Sequence, residues 1–110
     1  MDHNIFNKLV FDRCEKTKEV LMEKAKEYAR GPDRMRNFNR AQELTGRGRE
    51  KCIWDMAIKH YISFLDILDE VEEGSLPDEQ FLDEKIGDLV NYLILVEASI
   101  KEKIWEQKKK

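Results

Sequence analysis

EKIGDLVNYLILVEA, residues 84–98, is the stretch that decides the fold. Leu82, Ile86, Leu89, Leu93, Val96 and Ile100 recur at steps of 4, 3, 4, 3 and 4, the period of a helix that buries one face. Val90, Tyr92, Ile94 and Leu95 fill the remaining sides, so this helix is apolar almost all round and both of its faces are expected to meet protein. Glu84, Asp88 and Asn91 nevertheless stand in one line along it, at steps of four and three. Polar groups in such surroundings are either paired structural residues or a site.

Outward from this helix the chain reads as helix throughout. Asp78 is placed to cap the start of the same helix, which continues towards Trp105 and ends in Lys108-Lys109-Lys110, cations suited to a helix C-terminus. Before it, Gly74-Ser75-Leu76-Pro77 closes a helix predicted over Arg49–Glu73, with Trp54, Ala57, Ile58, Tyr61, Phe64, Leu65, Leu68 and Val71 as a broad apolar face. Its other face carries Asp55, Lys59, Ser63, Asp66, Glu70 and Glu73. A short helix is predicted over Arg34–Leu44, capped by Asp33, with Phe38, Ala41 and Leu44 inward. The first helix is predicted over Ile5–Ala29, capped by Asp2 or Asn4, along a narrow stripe of Phe6, Val10, Cys14, Thr17, Leu21, Ala25 and Tyr28, and stopped by Gly31-Pro32. With no strand pattern and no repeat, the fold class is all-α: a bundle of three long helices and one short helix. Because its last helix has apolar residues on every side, it is expected to self-associate as a homodimer or larger homo-oligomer.

At 110 residues this is a single domain, 1–110, with a modest core. Its residues are 41% hydrophobic and 39% charged, a soluble helical profile. No run is long enough to cross a bilayer and no leader pattern opens the chain, so a cytoplasmic protein is expected, with no membrane partner. Cys14 and Cys52, expected to be reduced, have no metal-ligand spacing, nor do His3 and His60. No serine or cysteine stands at a recognisable spacing from a base and an orienting acid, and no glycine-rich phosphate loop is present.

Net charge is −3, but the charges are segregated. Six of the seven arginines, Arg30, Arg34, Arg36, Arg40, Arg47 and Arg49, fall in a basic segment 30–51; ten acidic residues and one lysine fall between Asp66 and Asp88. The two segments are expected either to neutralise one another or to leave the arginines for phosphate, which the guanidinium fork matches. A pI near 5.5 argues against duplex nucleic acid. The tail, 107–110, is expected to fray.

The run Glu84-Lys85-Ile86-Gly87-Asp88-Leu89 resembles the third-helix motif E-x-x-D of the all-α nucleoside triphosphate pyrophosphohydrolases (MazG-like), often written inside E-E-L-G-D-L. The wider layout, from about residue 16 to 102, is similar to phage nucleotide-modification-associated domain proteins. It shares a lysine-rich first helix ending in tyrosine (Lys24-Ala25-Lys26-Glu27-Tyr28-Ala29), an Asn37-Phe38 pair, a lysine near Lys59 and a D-x-x-N-Y stretch at Asp88–Tyr92. The resemblance implies a small phage-type protein that binds a nucleotide. In the pyrophosphohydrolases four carboxylates from two helices hold magnesium, which bridges phosphate oxygens. Here Lys85 stands where the motif wants glutamate and the second long helix lacks an E-x-x-E; Asp66 and Asp69, or Ser63 with Asp66, are the nearest substitutes.

The expected nucleotide-binding set is therefore Glu84, Asp88 and Asn91 lining the pocket, with Lys59 and an arginine of the basic segment, Arg34 or Arg36, holding phosphate. The expected magnesium set is Asp66, Asp69, Glu84 and Asp88. A structural alternative pairs Asp88 with Lys59 or an arginine and leaves Asn91 to fix helix register. His60 falls off the polar stripe and reads as structural. A second class of function is a non-enzymatic acidic interaction or inhibitor protein of the phage counter-defence type, binding a host protein through Glu70, Glu72, Glu73 and Glu79.

Overall fold

A computed structural model describes residues 1–25 and 29–109. It is all-helical, with three long helices and one shorter one: α1 (His3–Lys18), α2 (Arg36–Thr45), α3 (Arg49–Glu72) and α4 (Glu79–Lys108). No described helix is long and apolar enough to cross a membrane.

The caps come from short polar side chains. Asp2 accepts from the Ile5 amide at 3.0 Å and Asp78 from the Phe81 amide at 3.3 Å. Asp33 stands three residues ahead of the first residue of α2, accepting from the amide of the capping residue Met35 at 2.9 Å, and α2 starts at Arg36 rather than Arg34. Gly46 ends α2 at φ 72°, where a side chain would be strained.

The first helix differs most from expectation. Its α-helical part stops at Lys18, and Glu19–Glu23 form a π-helical turn in which the Lys24 amide bonds Glu19 O, five residues back, at 3.0 Å. Lys26, Glu27 and Tyr28 of the expected first helix, and Lys110 of the tail, lie outside the described residues. At the other end, α4 stays helical through Lys108.

α3 and α4 lie antiparallel and form the body of the molecule, which is 51 Å long. Ile53, Ala57 and Ile67 of α3 are buried against α4, with His60 and Phe64 half-buried on the same line. The apolar face expected of α3 thus splits in two. Trp54, Ile58, Tyr61, Leu65 and Leu68 remain 37–48% exposed, while Ile53 and Ile67, absent from the expected face, are buried at 0 and 3%. α2 closes one end of the layer, where Met35, Phe38 and Ile53 make a small core with Tyr92, Leu95 and Val96; Leu44 points away at 80% exposure. α1 buries no residue and runs beside α4, with Ile5, Phe6, Leu9, Val10 and Phe11 at 44–64% exposure. Within one chain α4 is not covered on both faces: Leu93, Ile100 and Ile104 are 59, 44 and 43% exposed.

A polar clasp joins the start of α3 to the end of α4. Arg49 is buried and gives its Nε to Ser99 Oγ at 2.7 Å, Nη1 to Asn39 at 3.0 Å, and Nη2 to Glu102 at 2.8 Å and to Ser99 O at 3.3 Å. Glu50 accepts from Ser99 and Lys103. Desolvation alone would push the Glu50 carboxyl up, but those two hydrogen bonds, its own backbone amide and the Lys103 charge together hold it below its ordinary 4.5. A depressed folded-state pKa gives stability that is present above the unfolded value and lost as pH falls through the folded one. Glu50→Gln is therefore expected to lower stability at neutral pH by about 1 kcal/mol. In urea titrations the gap from the wild type should close as pH drops below 4.5.

Arg47 pairs with Asp55 at 2.8 Å. Among the described residues no ion pair links the basic segment to the acidic one.

Candidate functional site

Asp88 and Asn91 sit at the junction of two connected hollows along α4. The line of polar residues expected there faces the π-helical turn of the first helix on one side and the entry to α2 on the other.

The first hollow, about 260 Å³, lies between α1 and α4. Arg13, Lys16, Thr17, Glu19 and Val20 form one wall; Asp83, Glu84, Gly87, Asp88 and Asn91 form the other. Gly87 lets the walls approach, since a Cβ there would stand 3.1 Å from Arg13 Nη1. Arg13 and Lys16 lean on Asp83 at 3.5 and 3.9 Å, and Thr17 Oγ1 donates to Arg13 O at 3.0 Å. Two cations, Arg13 and Lys16, face four carboxylates, Glu19, Asp83, Glu84 and Asp88, which leaves −2.

The second hollow, about 340 Å³, is lined by Arg34 and Asn37 together with Phe38, Met56, Tyr92 and Leu95. Val20, Asp88 and Asn91 line both hollows. Their combined size suits a small-molecule ligand. Asn91 Oδ1 is fully shielded from solvent and accepts no hydrogen bond from any described residue. A buried acceptor left unpaired costs about 1–3 kcal/mol, so its retention calls for a donor.

Asp88 is held by His60, whose Nδ1 is 3.3 Å from Asp88 Oδ2, and the His60 ring packs on Tyr92 at 5.3 Å. The expected partner was Lys59 or an arginine. The helical turn of α3 that faces α4 presents residue 60, and Lys59 stays exposed outside both hollows. His60 lines neither hollow; its contacts with Asp88 and Tyr92 hold those two residues in place. Burial, with the Asp88 charge adding to it, pushes the Tyr92 phenol above its ordinary 10.0, so it keeps its proton at neutral pH.

Of the expected nucleotide set, Glu84, Asp88, Asn91 and Arg34 line the cleft, and Lys59 and Arg36 do not. Of the expected metal set, Glu84 and Asp88 share the first hollow. Asp66 and Asp69 do not join them, and among the described residues no three carboxylate, histidine or cysteine side chains converge as a metal cage. Asp66 and Asp69 are both exposed on α3, away from the α4-facing line of Ile53, Ala57, His60, Phe64 and Ile67. The residues that sequence reasoning passed over are Arg13, Lys16 and Thr17. Their signal was the one arginine outside the basic segment, followed at steps of three and four by Lys16 and Thr17.

Comparison with protein-family models, with curated proteins and with solved structures yields no match for this chain.

Proposed function

We propose that this protein binds a nucleotide in the cleft centred on Asp88 and Asn91. The observation that carries the reading is that Asn91 lines both hollows and its Oδ1 has no hydrogen-bond partner. An amide oxygen needs a donor, which the edge of a base or a sugar hydroxyl supplies and a phosphate does not. The base fits the second hollow, beside Asn37, Phe38 and Tyr92; the phosphates fit the first, toward Arg13 and Lys16. The π-helical turn that lines both hollows supports the same reading, since such turns recur at functional sites.

Magnesium enters this reading with the ligand. Two carboxylates at i, i+4 suit an ion that keeps its waters and phosphate oxygens, not a resident cage of four. Glu84 and Asp88 would hold it, and its charge would offset the −2 of the first hollow, which otherwise repels a polyphosphate. Binding is the activity proposed, and the protein is expected to act as an oligomer of this chain.

The test is calorimetry against nucleosides, monophosphates and triphosphates, with and without magnesium, alongside Asp88→Asn. Magnesium is expected to strengthen triphosphate binding at least about tenfold and nucleoside binding hardly at all, with both weakened in Asp88→Asn. No heat with any nucleoside or nucleotide would overturn the reading and favour a protein partner for the acidic run. Monophosphate plus pyrophosphate among the products would extend it to hydrolysis.

A further inference from the structure

Trp54, Ile58, Tyr61, Leu65 and Leu68 of α3, with Leu93, Ile100 and Ile104 of α4, are left uncovered by α1 and α2 and make a bare side of the α3–α4 pair. Asn91 and Leu93, or Met56 and Trp54, are two residues apart, about 200° around a helix. Asn91 and Met56 line the cleft, so Leu93 and Trp54 point away from it. We propose that a second copy of this chain covers this bare side, packed about a two-fold axis with the two α3 helices antiparallel.

Three observations choose that occupant. The first is area. Trp54, Ile58, Tyr61, Leu65 and Leu68 of α3 and Leu93, Ile100 and Ile104 of α4 are 37–59% exposed. At roughly 200 Å² for Trp54 and Tyr61 and about 100 Å² for each aliphatic side chain, that is about 450 Å² of exposed apolar surface per chain. Patches of about 300–600 Å² are often functional, and with the polar rim added this one approaches the roughly 800 Å² that a stable dimer buries per partner.

The second is pattern. Trp54, Ile58, Tyr61, Leu65 and Leu68 follow steps of 4, 3, 4 and 3, the seam by which helices interdigitate. Trp54 and Tyr61 already stack at 6.2 Å along it, the kind of aromatic pair that anchors interfaces. Ile5, Phe6, Leu9 and Val10 make a separate exposed face on α1.

The third is charge. Lys51 extends the seam at its start and Glu72 at its end, both exposed and without an ion-pair partner among the described residues. Two seams crossing antiparallel about Tyr61 set Lys51 of each copy against Glu72 of the other; a parallel pairing would set like against like. Such rim pairs add little affinity, but they select orientation. Both clefts then open outward, so this inference does not rest on the nucleotide reading.

Sedimentation equilibrium at tens of micromolar should give twice the 13.1 kDa chain mass. Leu65→Glu should give one chain mass with helical circular dichroism retained, and Phe6→Glu in α1 should leave the dimer intact. Lys51→Glu should weaken self-association about tenfold, and adding Glu72→Lys should restore it. The charge pair keeps the test decisive should Leu65→Glu fail to fold. A single-chain mass for the wild type, a dimer lost in Phe6→Glu, or no restoration by the double swap would overturn the proposal.

Discussion

Arg49→Ala is expected to lower the unfolding free energy by about 3 kcal/mol, read as a shift of the urea midpoint at unchanged slope. The size reflects the groups that the guanidinium leaves behind. Ser99 has no exposed surface, and its hydroxyl and carbonyl both accept from Arg49; Asn39 and Glu102 lose their donor in the same step. Each orphaned group adds a desolvation penalty, and Glu102, half in solvent, recovers part of its own. Arg49→Lys should recover little, because one ammonium cannot reach Ser99, Asn39 and Glu102 from a single position. An Arg49→Ala protein as stable as the wild type would mean that α3 and α4 are held by apolar contact alone.

The second large effect is at Asn91. Asn91→Leu is expected to raise stability by about 1 kcal/mol, since a buried acceptor without a partner is exchanged for hydrocarbon of similar size. The same change should weaken nucleotide binding by at least tenfold, about 1.4 kcal/mol or more. Thermal unfolding and calorimetry on one preparation read both. Opposite signs distinguish a ligand-facing asparagine from one that fixes helix register, for which substitution lowers stability and leaves the cleft's ligand indifferent. A loss of stability with unchanged binding would retire Asn91 as a site residue.

The helices and their caps were legible because they depend on residues close in sequence. Asp78 and Gly74-Ser75-Leu76-Pro77 mark the turn before α4 at the positions where the structure has it, and α3 ends one residue before expectation. The line Glu84, Asp88, Asn91 was legible too, since helical period alone places it on one face. The partners of that line were not. Which of Lys59 and His60 meets Asp88 depends on how α3 is rotated against α4, and a helix as apolar as α3 offers two competing seams one residue apart. The structure buries Ile53, Ala57 and Ile67, half-buries His60 and Phe64 on the same line, and leaves the neighbouring seam bare. The pairing of α1 with α4 was equally hidden, because a weak stripe in the first helix names no partner.

The π-helical turn at Glu19–Glu23 makes the first helix sensitive to length more than to composition. One residue fewer in that turn would restore an unbroken α-helix. It would also rotate the residues on its N-terminal side by about 100° relative to those on its C-terminal side. Arg13, Lys16 and Thr17 would leave the cleft together with every side chain unaltered. This stretch should therefore absorb many exchanges of one amino acid for another, yet no insertion or deletion of a single one.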